Sequence, residues 1–81
     1  MHRTVLKELL ELIAKNLVDN PDEVAVIETK DEKGILLELK VAQDDMGKVI
    51  GKQGRIAKAI RSVIKAAAIH NDVRVTVEIV S

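Results

Sequence analysis

The residues best suited to chemistry lie together, in Val49-Ile50-Gly51-Lys52-Gln53-Gly54-Arg55. Two glycines bracket two polar residues. A branched apolar pair precedes them and a cation follows. Glycine adopts positive φ at little cost and lets another backbone come close. Next comes Ile56-Ala57-Lys58-Ala59-Ile60-Arg61, with helical spacing, so the bend opens into a helix. The first amides of a helix have no partner inside it, and that end carries partial positive charge. A phosphate suits such a place. Lys52 and Arg55 oppose the macrodipole there, by ~0.3–1 kcal/mol each. A bound anion would reverse the sign of that interaction, which a corner serving only to turn the chain does not explain.

Charge is segregated around this bend. The 81 residues carry 13 basic and 13 acidic side chains, so the chain as a whole is neutral. Yet residues 46–71 contain no Asp or Glu and hold Lys48, Lys52, Arg55, Lys58, Arg61 and Lys65. On a helical wheel Arg55, Lys58, Arg61 and Lys65 share about a third of the circle. A solubilising helix face would mix signs. One acid-free basic face on a neutral protein points to a local polyanion site rather than bulk attraction.

Other chemistries are poorly supported. Gly47 to Lys52 does not match a Walker A loop, which needs four residues between its glycines and Gly-Lys-Ser/Thr at its end. His2 and His70 stand alone, and Asp44 and Asp45, adjacent on a helix, point about 100° apart. A helix-start role suits that pair better than acid–base work. We expect no enzyme, no catalytic residues, no cofactor and no metal. Cysteine is absent, which excludes disulfides and thiolate zinc sites. Aromatic residues are absent too. Base stacking of the kind used by RRM and OB folds is therefore excluded, and bases would meet aliphatic side chains and hydrogen bonds.

The length allows one small domain, residues 1–81. Thr4 to Val18 has helical periodicity, with Thr4 as N-cap and Pro21 beyond its end. Its apolar residues sweep over half the circumference, more than one core-facing stripe needs: either a partner subunit sits on this helix, with Leu6 or Leu10 in the contact, or the domain wraps it on two sides. Residues 23–30 read as a strand, Asp31 to Gly34 as a hairpin turn, and Ile35 to Val41 as a strand of alternating character. Asp44 to Ile50 reads as a short helix, with Gly47 placed for close approach or packing. A long helix follows from Arg55 to Ile69, with Ile56, Ala59, Ile60, Val63, Ile64 and Ala67 on its inner side and Asn71 as C-cap. Val73 to Ile79 reads as a last strand. The expected order is α-β-β-α-α-β, an α+β fold. Its first two strands are antiparallel, the crossover makes the last two parallel, and three helices cover one face. No apolar run reaches the ~20 residues needed to span a bilayer, and Lys7, Glu8 and Glu11 interrupt the leucines that a secretory leader would require. A cytoplasmic location is expected.

Ile50-Gly51-x-x-Gly54 followed by a helix, within this element order, resembles the KH domain, whose GxxG loop clamps a single-stranded nucleic-acid backbone. The order matches the type II form, and the length resembles the KhpA family of small bacterial single-KH RNA-binding proteins. The resemblance implies single-stranded RNA over Gly51, Lys52, Gln53, Gly54 and Arg55. Val49, Ile50 and Ile56 would line an aliphatic groove bordered by the second strand, with Lys48 and Lys58 nearby. It also implies a homodimer or a heterodimer with a KhpB/Jag-type KH protein, and a role as RNA chaperone or post-transcriptional regulator in cell shape and cell-wall homeostasis. The competing expectation is a protein-interaction adaptor with a vestigial groove.

Overall fold

The computed structural model describes residues 5–70 and 73–80, the side chains of residues 52 and 53 excepted. Thr4 and Asn71, the expected caps, and His2 lie outside the described residues.

Helix α1 (Val5–Leu17) buries Leu6, Leu10 and Ala14, residues spaced four apart on one stripe. The chain then passes a single turn of 3-10 helix at Pro21–Glu23 into β1 (Ala25–Asp31). β1 turns through Glu32 and Lys33 into β2 (Gly34–Lys40). Asp31 shapes this hairpin: its Oδ1 accepts the Lys33 amide at 2.7 Å and the Gly34 amide at 3.1 Å. Gly34 has φ +140°, and a Cβ there would collide with the Arg74 carbonyl. Glycine is thus required where the hairpin meets the incoming third strand.

A second 3-10 turn, Gln43–Asp45, leads into helix α2 (Met46–His70), and β3 (Val75–Val80) ends the fold. The sheet order is β1-β2-β3. β1 and β2 are antiparallel, with Val26 opposite Leu39; β2 and β3 are parallel, with Leu37 beside Val77. The helical crossover between the last two strands demands that parallel pairing. Alternation along the strands sends Leu37, Leu39, Val26 and Val77 to the helix side, where they meet Leu10, Val49, Ile60 and Ile64 in one core. The opposite face of the sheet carries Ile27, which is 54% exposed, in register with Glu38.

Two features of α2 differ from expectation. The short helix expected at 44–50 and the long helix at 55–69 form one hydrogen-bonded run, and the break between them is a single residue, Gly54, with φ +77°. A straight helix of 25 residues would span about 36 Å. The extent of the molecule along its longest principal axis is 34 Å. A left-handed residue does not continue a right-handed helix, so Gly54 divides α2 into two arms. The inner side of the second arm is also rotated from expectation. Ala57, Ile60, Ile64 and Ala68 are buried, while Ala59 is exposed and Val63 is 47% exposed. A helix presents only about a third of its surface to one sheet, and the i, i+3, i+4 set centred on Ile60 and Ile64 takes that place.

The excess of apolar residues on α1 is real. Leu6 and Leu10 are in the core, but Val5 is 56% and Leu12 61% exposed, so the domain does not wrap this helix on two sides. A partner-facing surface on α1 would hold Val5 and Leu12, not Leu6 or Leu10.

Candidate nucleic-acid interface

The first arm of α2 is anchored by Asp45. This residue was expected only to favour the helix N-terminus electrostatically; it is 1% exposed. Its Oδ1 accepts the Asp19 amide at 3.1 Å, and its Oδ2 accepts the Asn20 amide and the Asn20 Nδ2, both at 3.0 Å. The chain leaving α1 is thereby tied to the start of α2. Burial pushes the Asp45 carboxyl up, but the bonds from Asp19 and Asn20, together with the charge of Lys48, outweigh it. They hold the group below its ordinary value. Lys48 in turn pairs with Asp19. An ion pair already engages this lysine, which was expected beside the bend as an open cation.

The glycine bend sits at the end of this arm. Adding a Cβ at Gly47 or Gly51 would meet no described atom within 4 Å, so the close approach considered for Gly47 is not made. Gly54 alone needs its glycine for backbone conformation. Ile50 is 46% exposed and Ile56 half-buried, so both are placed to offer aliphatic surface beside the bend. Val49 is fully buried, in the core cluster that also holds Leu39 and Ile60; it cannot wall a groove. Arg55 and Lys58 are exposed on the arm that follows. The side chains of Lys52 and Gln53 lie outside the described residues.

The groove border also differs from expectation. β2 is the middle strand, hydrogen-bonded on both sides along its length, and has no free edge to offer. The free edge beside α2 belongs to β3. A groove of about 230 Å³ runs between them, lined by Arg61, Lys65, Val75, Thr76 and Val77. It adjoins a second hollow of about 400 Å³ formed with Ala68, Ile69, Val73 and Arg74. Among the described residues no carboxylate lines either one. The sequence places Lys65 in the basic row but does not single out Arg74. Nothing local marks Arg74. Only the parallel register, in which the Ile35 amide donates to the Arg74 carbonyl at 2.8 Å, brings it beside Lys65.

Among the described residues no group of three His, Asp or Glu could hold a metal ion, and no helix is long and apolar enough to cross a membrane.

A chain of order α-β-β-α-β with a parallel β2–β3 pair, whose crossover helix carries a Gly-x-x-Gly that closes on a left-handed glycine, is a type II KH domain. The KH-domain model of KhpA/KhpB matches residues 7–79, and the chain belongs to that family. It is 69% identical over 75 residues to the RNA-binding protein KhpA of Clostridium acetobutylicum, covering 93% of this chain and 100% of that one. The corresponding protein of Aquifex aeolicus is 49% identical over 76 residues, covering 94% and 96%. Among solved structures the chain is similar to Aquifex aeolicus Era bound to GDP and aluminium fluoride. The TM-score is 0.68 and the identity 21%, over 93% of this chain and 29% of that one, a likeness of fold.

Proposed function

We propose that this protein binds short single-stranded RNA. The backbone crosses the bend at Gly51-Lys52-Gln53-Gly54, and the bases lie between the second arm of α2 and the free edge of β3. The observation that carries the reading is the left-handed Gly54 at the head of an exposed, acid-free row, Arg55, Lys58, Arg61 and Lys65. The names of the relatives, RNA-binding proteins, agree with it. Gly51 and Gly54 keep the bend narrow; Lys52, Arg55 and Lys58 neutralise phosphates; Gln53 offers hydrogen bonds; Ile50 and Ile56 give the bases an aliphatic surface. Lys48, paired with Asp19, contributes charge from the rim.

A single module of this size touches few nucleotides, so useful affinity calls for linked sites. The exposed Val5 and Leu12 on α1 and Val63 on α2 give surface for a second copy or a KhpB/Jag-type KH protein. With such a partner the protein acts in the cytoplasm as an RNA chaperone or post-transcriptional regulator serving cell shape and cell-wall homeostasis.

Titration of labelled single-stranded RNA, single-stranded DNA and duplex tests the binding reading. Three phosphate contacts on a single strand give a slope of log K against log salt of roughly −2, so a fourfold rise in salt weakens binding roughly 20-fold. Preference for duplex, or no binding to any nucleic acid while the exposed helix faces still hold a protein partner, rejects it.

A further inference from the structure

The free edge of β3 does not present plain backbone. The Ile35 amide donates to the Arg74 carbonyl, and Ile35 is in register with Val75. In a parallel pair, alternate residues bond to one neighbour. Arg74, Thr76 and Glu78 therefore turn their backbone groups toward β2, while Val75, Val77 and Ile79 turn theirs to the open edge. The middle acceptor of that edge, the Val77 carbonyl, is taken: Arg61 Nε donates to it at 3.2 Å. Arg61 lines the groove between α2 and β3 together with Val75, Thr76 and Val77. It lies seven residues beyond Gly54, roughly 10 Å along the helix, away from the bend where phosphates are proposed to sit.

A guanidinium has five N–H donors in a fixed plane. Anchoring Nε leaves the four on its two terminal nitrogens, and the anchor removes much of the freedom such a side chain would otherwise lose on binding. The effect is to convert the centre of the edge from an acceptor into a pair of parallel donors. We propose that Arg61 is a base-reading residue, and that the groove prefers, at one position, a base with two acceptors side by side. This rests on the RNA-binding reading above and adds a specificity to it. Guanine supplies such a pair as O6 and N7, and cytosine as N3 and O2. Uracil flanks both of its carbonyls with N3–H, and adenine flanks N1 and N7 with its N6 amino group, so on their Watson–Crick and Hoogsteen edges neither offers the fork two parallel acceptors.

The test uses the full chain and labelled uridine octamers carrying one central guanosine, cytidine or adenosine. A bidentate pair discriminates roughly 5-fold or more between bases. The expected result is that the guanosine or the cytidine octamer binds roughly 5-fold or more tighter than all-uridine, that adenosine gives no such gain, and that Arg61→Lys abolishes the difference between the oligomers. The two substituted oligomers tell which base is read. If guanosine is preferred, 7-deazaguanosine in its place removes the gain in the unaltered protein, a readout independent of any variant's folding. Equal affinity for all four oligomers overturns the inference and leaves RNA binding standing. So does a preference that survives Arg61→Lys. No binding to any of them overturns both.

Discussion

Three glycines lie in one helix, and alanine at each should have opposite effects. Gly47, Gly51 and Gly54 all fall within α2 (Met46–His70). At Gly47 and Gly51 an added Cβ meets no described atom within 4 Å, and neither has positive φ. Alanine there gains helix propensity, about 1 kcal/mol each. At Gly54 the space is equally open, but φ is +77°. The left-handed conformation costs an L-residue roughly 1–2 kcal/mol. The gap between Gly47→Ala and Gly54→Ala is therefore about 2–3 kcal/mol, for the same chemical change at two positions of one helix. In a domain of this size 1 kcal/mol moves the melting temperature by roughly 4–8 °C. Thermal melts by circular dichroism, with urea midpoints to check that the slope is unchanged, would read it. If Gly54→Ala stabilises the protein as much as Gly47→Ala does, α2 runs straight through this position. The bend would then not be part of the fold. RNA affinity gives a second readout, since Gly54→Ala should weaken binding and Gly47→Ala should not.

Other outcomes follow from the same structure. Asp45, held below its ordinary value by hydrogen bonds, stabilises the fold above the pH at which the unfolded carboxyl ionises; the contribution is lost as pH falls through the lower folded value. Asp45→Asn should flatten the acid limb of a melting-temperature profile below about pH 4; an unchanged limb would mean that the Asp19 and Asn20 amides do not depend on the charge. Leu10→Ala should cost roughly 2–5 kcal/mol as a core truncation, while Leu12→Ala stays within roughly 0.5 kcal/mol in the monomer. Equal costs in urea melts would refute the assigned facing of α1. Leu12→Lys should reduce self-association measured by sedimentation if α1 joins two copies. A folded variant with unchanged mass distribution removes α1 from that interface.

Much of the fold was legible because the strands and helices repeat at their own periods. Ile35, Leu37 and Leu39 alternate, and Ile60 and Ile64 recur at helical spacing, so class, order and pairing followed. The facing of α2 was less legible. Its alanines and branched residues occur on several sides, and only contact with the sheet selects Ala57, Ile60, Ile64 and Ala68. The bend was visible in Gly51 and Gly54, but not that Gly54 alone takes the left-handed conformation. Asp45 looked like a helix-start residue because nothing in its neighbourhood reveals that Asp19 and Asn20, over 24 positions earlier, bring three donors to it. The groove border was misplaced even though the expected pairing, antiparallel β1–β2 and parallel β2–β3, already makes β2 central and leaves β3 the free edge; the contribution of Arg61, Lys65 and Arg74 beside β3 follows from that edge.

The central claim is that the glycine-framed bend holds a sugar–phosphate chain. Its most direct test is the double substitution Lys52→Asp with Gln53→Asp, titrated with a labelled single-stranded RNA octamer beside the unaltered protein. The account predicts a melting curve close to that of the unaltered protein and a loss of affinity of about tenfold or more, from one lost cation and two added anions facing phosphate. A folded variant that binds the same RNA as tightly as before would contradict it.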